Sequence, residues 1–189
     1  MQLSLSPVAL LGTAFGASEI GLALWKRSHV SSQPADAGSL RVLWGAILIS
    51  WVVAIASADL FPFARFGPGV TLFDAPYLLL ALGLGLRWYS ILYLGKFFTV
   101  DVAIASEHRV IDTGPYRYIR HPSYSGALLA FLGFGLLFHN GVSLVMLVVP
   151  VTLAFLHRVR IEERALRSAL GAAYVDYSAR TKMLVPLLF

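Results

Sequence analysis

Residues 124–157 read YSGALLAFLGFGLLFHNGVSLVMLVVPVTLAFLH, 34 positions without a single Asp, Glu, Lys or Arg. A membrane span needs about 20 apolar residues, so the run is too long for one crossing without a break. Asn140-Gly141 in its middle is a turn signal. The reading that follows is a helical hairpin, Tyr124–His139 and Val142–His157. Each arm is short against a hydrocarbon layer about 30 Å thick, which tilted partners or local thinning accommodate.

Three more apolar runs precede the hairpin: Leu3–Trp25, Val42–Phe61 and Ala75–Leu94. Across its 189 residues the chain is 58% hydrophobic and 13% charged, with a mean hydropathy of +0.74. Soluble domains carry about 25% charged residues. The expected fold is all-α, a polytopic membrane protein of about five transmembrane helices plus a C-terminal amphipathic helix on the cytoplasmic side. It forms a single membrane domain over residues 1–189. Residues 1–94 supply three spans; 95–189 supply a cofactor-binding loop, the hairpin and the last helix. The first run is expected to stay as a helix, because it lacks a basic leader and contains Glu19.

The basic residues test this count. Lys26, Arg27 and Arg41 follow the first run; Lys96, Arg109, Arg117 and Arg120 follow the third; Arg158, Arg160, Arg164, Arg167, Arg180 and Lys182 follow the fifth. Five crossings put all of these on one side, leaving Arg65 opposite and Arg87 within the third run. The positive-inside rule then makes that side cytoplasmic and the N-terminus external. The net charge of +5 faces anionic headgroups, so nucleic acid is not an expected partner.

Several chemistries drop out. The chain has no cysteine, so disulfides, thiolate nucleophiles and thiolate metal sites are excluded. The five histidines, at 29, 108, 121, 139 and 157, match no metal-binding spacing, and no metal is expected. Gly83 and Gly85 in LGLGLRW lack the third glycine and the βαβ context of a nucleotide fingerprint.

Two polar blocks remain. GPYRYIRHPSYSG, residues 114–126, opens with a turn pair and places Pro122 where a helix would begin. Pro122 pushes His121 toward extended backbone, and a helix N-terminus there would suit an anion. The plain alternative is Arg and Tyr anchoring at the headgroups. The second block, HRVRIEERALRSALGAAYVDY, residues 157–177, reads as a helix with Arg158, Glu162, Leu166, Ala169 and Leu170 on one face. Glu163 and Arg167 form an i,i+4 pair expected in solvent. Arg87 and Glu19 are intramembrane charges; they either pair or line a cavity, and Arg87 beside Trp88 could equally anchor at the interface.

These two blocks, with RWYSILYLGKFFT and EHRVIDTG before them and GAAYVDYSARTKMLVP after, closely resemble the isoprenylcysteine carboxyl methyltransferase family of integral membrane enzymes. The resemblance covers roughly residues 85–186. It implies S-adenosylmethionine as cofactor, released as S-adenosylhomocysteine and bound without a Rossmann fold. It implies cofactor contacts at His108, Arg109, Val110, Ile111, Tyr116, Arg120, His121, Pro122, Ser123 and Glu162. Arg158 matches the family's substrate-binding arginine, with Arg87 as a second candidate on the substrate. At Asp101 the chain departs from the family's polar contact. The cofactor's carboxylate suits Arg120 and the N-terminus of the fourth helix, a cation of the cofactor suits Glu162, and its adenine suits Tyr116 or the Val110-Ile111 backbone. The implied acceptor is lipophilic: a prenylated cysteine, a lipid or a small hydrophobic acid. An alternative is N-methylation of a phosphatidylethanolamine-type lipid with His108 or His121 as base. An NADPH-dependent membrane reductase is more remote.

Overall fold

The computed structural model describes residues 7–25, 34–67, 74–98 and 109–185; they are largely helical, with no strand among them. Its helices are α1 (Pro7–Trp25), α2 (Pro34–Leu60), α3 (Ala75–Leu94), α4 (Pro122–Leu137), α5 (Gly141–Leu170) and α6 (Ala172–Arg180). α3 has its expected bounds. α2 begins at Pro34 rather than Val42, so Arg41 lies inside it. α5 does not stop at His157. Neither glycine nor a further proline interrupts 151–170, and the last apolar arm and the charged helix are one rod. The rod ends at Gly171, whose φ of 57° only glycine adopts freely, and whose N–H donates to the Arg167 carbonyl at 3.1 Å.

α2, α3 and α5 are long and apolar enough to cross a membrane, whereas Leu10–Leu22 and α4 are shorter apolar helices. The 16 residues of α4 span about 24 Å, and the 30 of α5 about 45 Å, enough to cross and project beyond.

α3 packs along α4, α2 along α5, and α4 along α5. Small residues bring α3 and α4 together, as expected where lipid removes the usual hydrophobic drive. A Cβ added to Gly83 would lie 2.6 Å from the Gly126 carbonyl oxygen, and one added to Gly126 would lie 2.5 Å from that of Gly83. Gly83 therefore serves packing. Phe131 and Phe134 of α4 form the core with Leu147 and Val151 of α5. Phe15 of α1 meets Phe131 edge-on, with centroids 5.5 Å apart.

The turn between α4 and α5 differs from a plain Asn-Gly turn. His139 is the residue in the left-handed region, at φ 48°. Asn140 is the N-cap of α5: its Oδ1 accepts from the Val142 and Ser143 N–H at 3.0 and 3.1 Å, and its Nδ2 donates to the Phe61 carbonyl at 2.8 Å. This seals one end of the bundle. The polar residues of α5 lie at the other.

Candidate active site

The 114–126 block folds as a turn pinned from three sides. Gly114 (φ 57°) opens a 3₁₀ turn, Gly114–Arg117, against the ring of Tyr93, which a Cβ at 114 would approach to 2.5 Å. Pro122 takes the first position of α4, and the His121 carbonyl accepts from the Tyr124 and Ser125 N–H at 3.0 and 3.1 Å. The segment after α6 runs alongside: Arg120 N–H donates to the Lys182 carbonyl (2.8 Å) and His121 N–H to that of Met183 (3.1 Å). Those two amides are thus already engaged by backbone.

The centre of this assembly is Glu163, and its burial corrects the expectation of a solvent-exposed pair. Glu163 is 6% exposed. Its Oε1 accepts from Arg120 Nε (2.8 Å) and the Tyr174 hydroxyl (2.8 Å), and pairs with His121 Nε2 (2.9 Å). Arg167 does approach Glu163 Oε2, at 3.8 Å, but only Arg167 faces solvent. Arg120 Nη1 also donates to the Ser178 carbonyl at 3.0 Å and to that of Thr181. One carboxylate therefore ties the loop, α5 and α6 together. Burial pushes the phenols of Tyr116, Tyr174 and Tyr177 well above their ordinary range, so all three stay neutral. Tyr177 donates to the Tyr116 carbonyl at 2.6 Å, and Tyr116 to that of Ser90 at 3.2 Å.

Next to this hub, Tyr124 joins two predicted site residues. Its hydroxyl donates to Glu162 Oε2 at 2.8 Å and accepts from Arg158 Nε at 3.2 Å. Arg158 is 2% exposed and donates from Nη1 to Ser39 Oγ of α2 at 2.9 Å. The Glu162 side chain stays 29% exposed, and His121 Nδ1 lies 3.9 Å from it. The His121 ring stacks on Tyr124, centroids 5.6 Å apart and 11° between planes. On the same helix Ala169 is exposed, and Ala165 is buried in its place.

Arg87 and Glu19 do pair. Arg87 Nε and Nη2 donate to the two Glu19 oxygens at 2.6 and 2.5 Å, and Nη1 donates to the Ser123 carbonyl at 3.3 Å. Both line a cavity of about 720 Å³ bounded by α1, α2, α4 and α5, with Arg87 of α3 at its edge. On α2 its lining runs from Leu40 to Ile55, and along α4 and its C-cap from Tyr124 to Phe138, a length of about 20 Å along the bundle. Trp51 and Phe138 stand at the apolar end; Tyr124, Arg158, Glu19 and Arg87 stand at the polar one.

The structure thus brings Arg158, Glu162, His121, Pro122, Ser123, Arg120 and Arg87 around the start of α4. Tyr116 is buried beneath the loop; Val110 and Ile111 are half-buried, and Arg109 is exposed with its guanidinium 5.9 Å from the Phe97 ring. His108 and Asp101 lie outside the described residues. Sequence reasoning missed Glu163, Tyr124 and Ser39. Glu163 had a signal: Leu147, Val151, Phe155 and Val159 form a buried row at intervals of four, and 163 is its next member. Among the described residues no cluster of His, Cys, Asp or Glu could hold a metal.

Comparison with known proteins follows the same lines. The isoprenylcysteine carboxyl methyltransferase (ICMT) family model matches residues 77–168. The chain is 32% identical over 145 residues to protein-S-isoprenylcysteine O-methyltransferase B of Arabidopsis thaliana, covering 76% of this chain and 73% of that protein. It is 32% identical over 113 residues to the Saccharomyces cerevisiae protein-S-isoprenylcysteine O-methyltransferase, covering 59% and 47%. Its fold is similar to that of the eukaryotic intramembrane Ras methyltransferase ICMT, with a TM-score of 0.65 at 22% identity, over 95% of this chain and 65% of that one.

Proposed function

Because this chain belongs to the isoprenylcysteine carboxyl methyltransferase family, we propose that it methylates the carboxylate of an S-isoprenylcysteine-type acceptor within a membrane, drawing the methyl group from S-adenosylmethionine. The observation that carries this reading is the way the cavity ends. Apolar walls some 20 Å long lead to Arg158, and one hydroxyl, that of Tyr124, joins Arg158 to Glu162. An acceptor with a greasy tail and one carboxylate matches that shape and polarity.

The residues fit the donor. S-adenosylmethionine supplies an electrophilic methyl group on a sulfonium. Glu162 is an acid left partly open beside His121 and Tyr124, and it suits the donor's ammonium. Tyr116, Val110 and Ile111 offer surfaces for adenine, Arg109, Pro122 and Ser123 complete the surround, and His108 is a contact implied by the family resemblance alone. Arg120 acts on the donor pocket through Glu163 and the Ser178 and Thr181 carbonyls, which hold the loop in shape.

A carboxylate is already a nucleophile, so the transfer asks for no general base. Arg158 orients the acceptor carboxylate, with Arg87 facing the same head group. Tyr124 sets the distance between that grip and Glu162. Helices around the cavity exclude water from the line of attack. His121 is held at Nε2 by Glu163, which favours a positioning role over that of a base for an amine acceptor. The basic segments face the cytoplasm and the N-terminus lies outside, by the positive-inside rule.

The test is transfer of labelled methyl from S-adenosylmethionine to N-acetyl-S-farnesyl-cysteine by the purified chain, followed by alkali. Release of the label as methanol is expected, because an ester is cleaved. Label that survives alkali, or transfer only to aminolipid, would refute carboxyl methylation.

A further inference from the structure

α2 starts at Pro34, ahead of the apolar run that begins at Val42. The added turns give Ser39 a helical seat, where it is 2% exposed. Ser50 and Ser57 of the same helix are buried as well. They follow Ser39 by about three and about five turns, so all three share one face. The ordinary role of such a row is packing, because small residues let helices approach closely in a membrane, and α2 does pack along α5.

Ser39 departs from that role in what it touches. The hydroxyls of Ser90 and Ser143 donate to backbone carbonyls, those of Leu86 and Ala54, at 2.6 and 2.8 Å. That is the common use of a serine in an apolar helix. Ser39 Oγ instead accepts from Arg158 Nη1, at 2.9 Å across the α2–α5 contact. On another nitrogen of the same guanidinium, Arg158 Nε meets the Tyr124 hydroxyl of α4 at 3.2 Å. A guanidinium is planar, with its donors in a fixed fork. Contacts on two of its nitrogens, from two different helices, fix its plane, where either contact alone would let it swing. Both of these partners are hydroxyls, which orient the cation without adding a charge. Orientation matters here because methyl transfer needs the attacking oxygen in line with the methyl carbon and its leaving sulfur, and a misplacement of about 1 Å can cost about 10²-fold in rate.

We infer that Ser39 is a positioning residue for the methyl transfer: acting through Arg158, it turns the guanidinium so that the bound carboxylate faces the donor methyl group. This rests on the proposal above that a carboxylate is methylated at Arg158. Ser57, on the same face but about 27 Å further along the helix, is the matched packing control.

The experiment compares wild type, Ser39→Ala, Ser39→Thr and Ser57→Ala, each as the full chain in detergent, with N-acetyl-S-farnesyl-cysteine as acceptor. Ser39→Ala keeps the guanidinium and its charge, so the acceptor KM should stay within about threefold while kcat falls about tenfold, the pattern of lost alignment rather than lost binding. Ser39→Thr keeps the hydroxyl and should return kcat to within about threefold of wild type. Ser57→Ala should leave kcat within about twofold. An unchanged kcat in Ser39→Ala overturns the inference. So does an equal fall in Ser57→Ala, which marks packing, or a threonine variant as slow as the alanine one. No methylation of this acid by the wild type instead refutes the carboxyl-methylation reading on which the inference rests.

Discussion

Two residues are central to the proposed site, and each depends on its neighbours. Arg158 is buried and is held by Tyr124 and Ser39, so its side chain is set before any acceptor arrives. Arg158→Ala should lower kcat/KM by about 10²–10³, the cost of removing a buried charged partner. Calorimetry should show S-adenosylhomocysteine binding little changed; loss of that binding with an unaltered acceptor KM would refute the role given to Arg158. Glu163 works on structure. It carries three hydrogen-bonding partners from the loop, α4's N-cap and α6. Glu163→Gln should cost about 3 kcal/mol or more, since it leaves buried cationic and phenolic donors without their carboxylate. The check is the apparent melting temperature in detergent, which should fall by several degrees. At this scale the sequence was partly legible. Arg158 and Glu162 were readable because inward charge on an otherwise apolar helical face is costly and conspicuous. Glu163 was misread because its i,i+4 partner, Arg167, lies in solvent, and a single helix cannot reveal that a distant loop brings Arg120 and His121 to the same carboxylate.

At the scale of elements, apolar runs told where helices lie, and local chemistry told where some begin and end. α3 kept its expected bounds because Asp74-Ala75-Pro76 and Gly95 punctuate both ends. α5 overran its expected end because no breaker separates the apolar arm from the charged one. Nothing in the spacing of glycines announces which helices touch. Gly83 and Gly126 meet only in the folded bundle, where their backbones leave no room for a side chain. Gly126→Leu should therefore push α3 from α4 and destabilise the protein by about 1–3 kcal/mol or abolish folding. Gly45→Leu on α2, where an added Cβ meets nothing within 4 Å, is the matched control. Equal melting temperatures for the two variants would contradict the close crossing.

For the whole molecule, an apolar cavity running along the bundle ends at a polar group of side chains from the start of α4 and the middle of α5. The all-α polytopic class was visible in composition, because a chain with so little charge has lipid as its solvent. The cavity was not, since its lining comes from residues of five helices that no pattern in one dimension groups together. The predicted orientation is open to a direct check. The chain has no cysteine, so Arg117→Cys and Arg65→Cys each carry a unique label site. In sealed vesicles of cytoplasm-inside orientation, an impermeant maleimide should label position 65 and spare 117; the reverse would contradict the assigned sidedness.

The proposed reaction requires the cavity to receive the acceptor's tail while the acceptor carboxylate reaches Arg158. A farnesylated N-acetyl-cysteine with a diazirine at the end of its tail tests this directly, by photolabelling followed by peptide mapping. Label should fall on Trp51 or Phe138 at the apolar end and be competed by unlabelled acceptor. Label on the exposed outer face of α3, at Leu78 or Leu82, insensitive to competition, would contradict it.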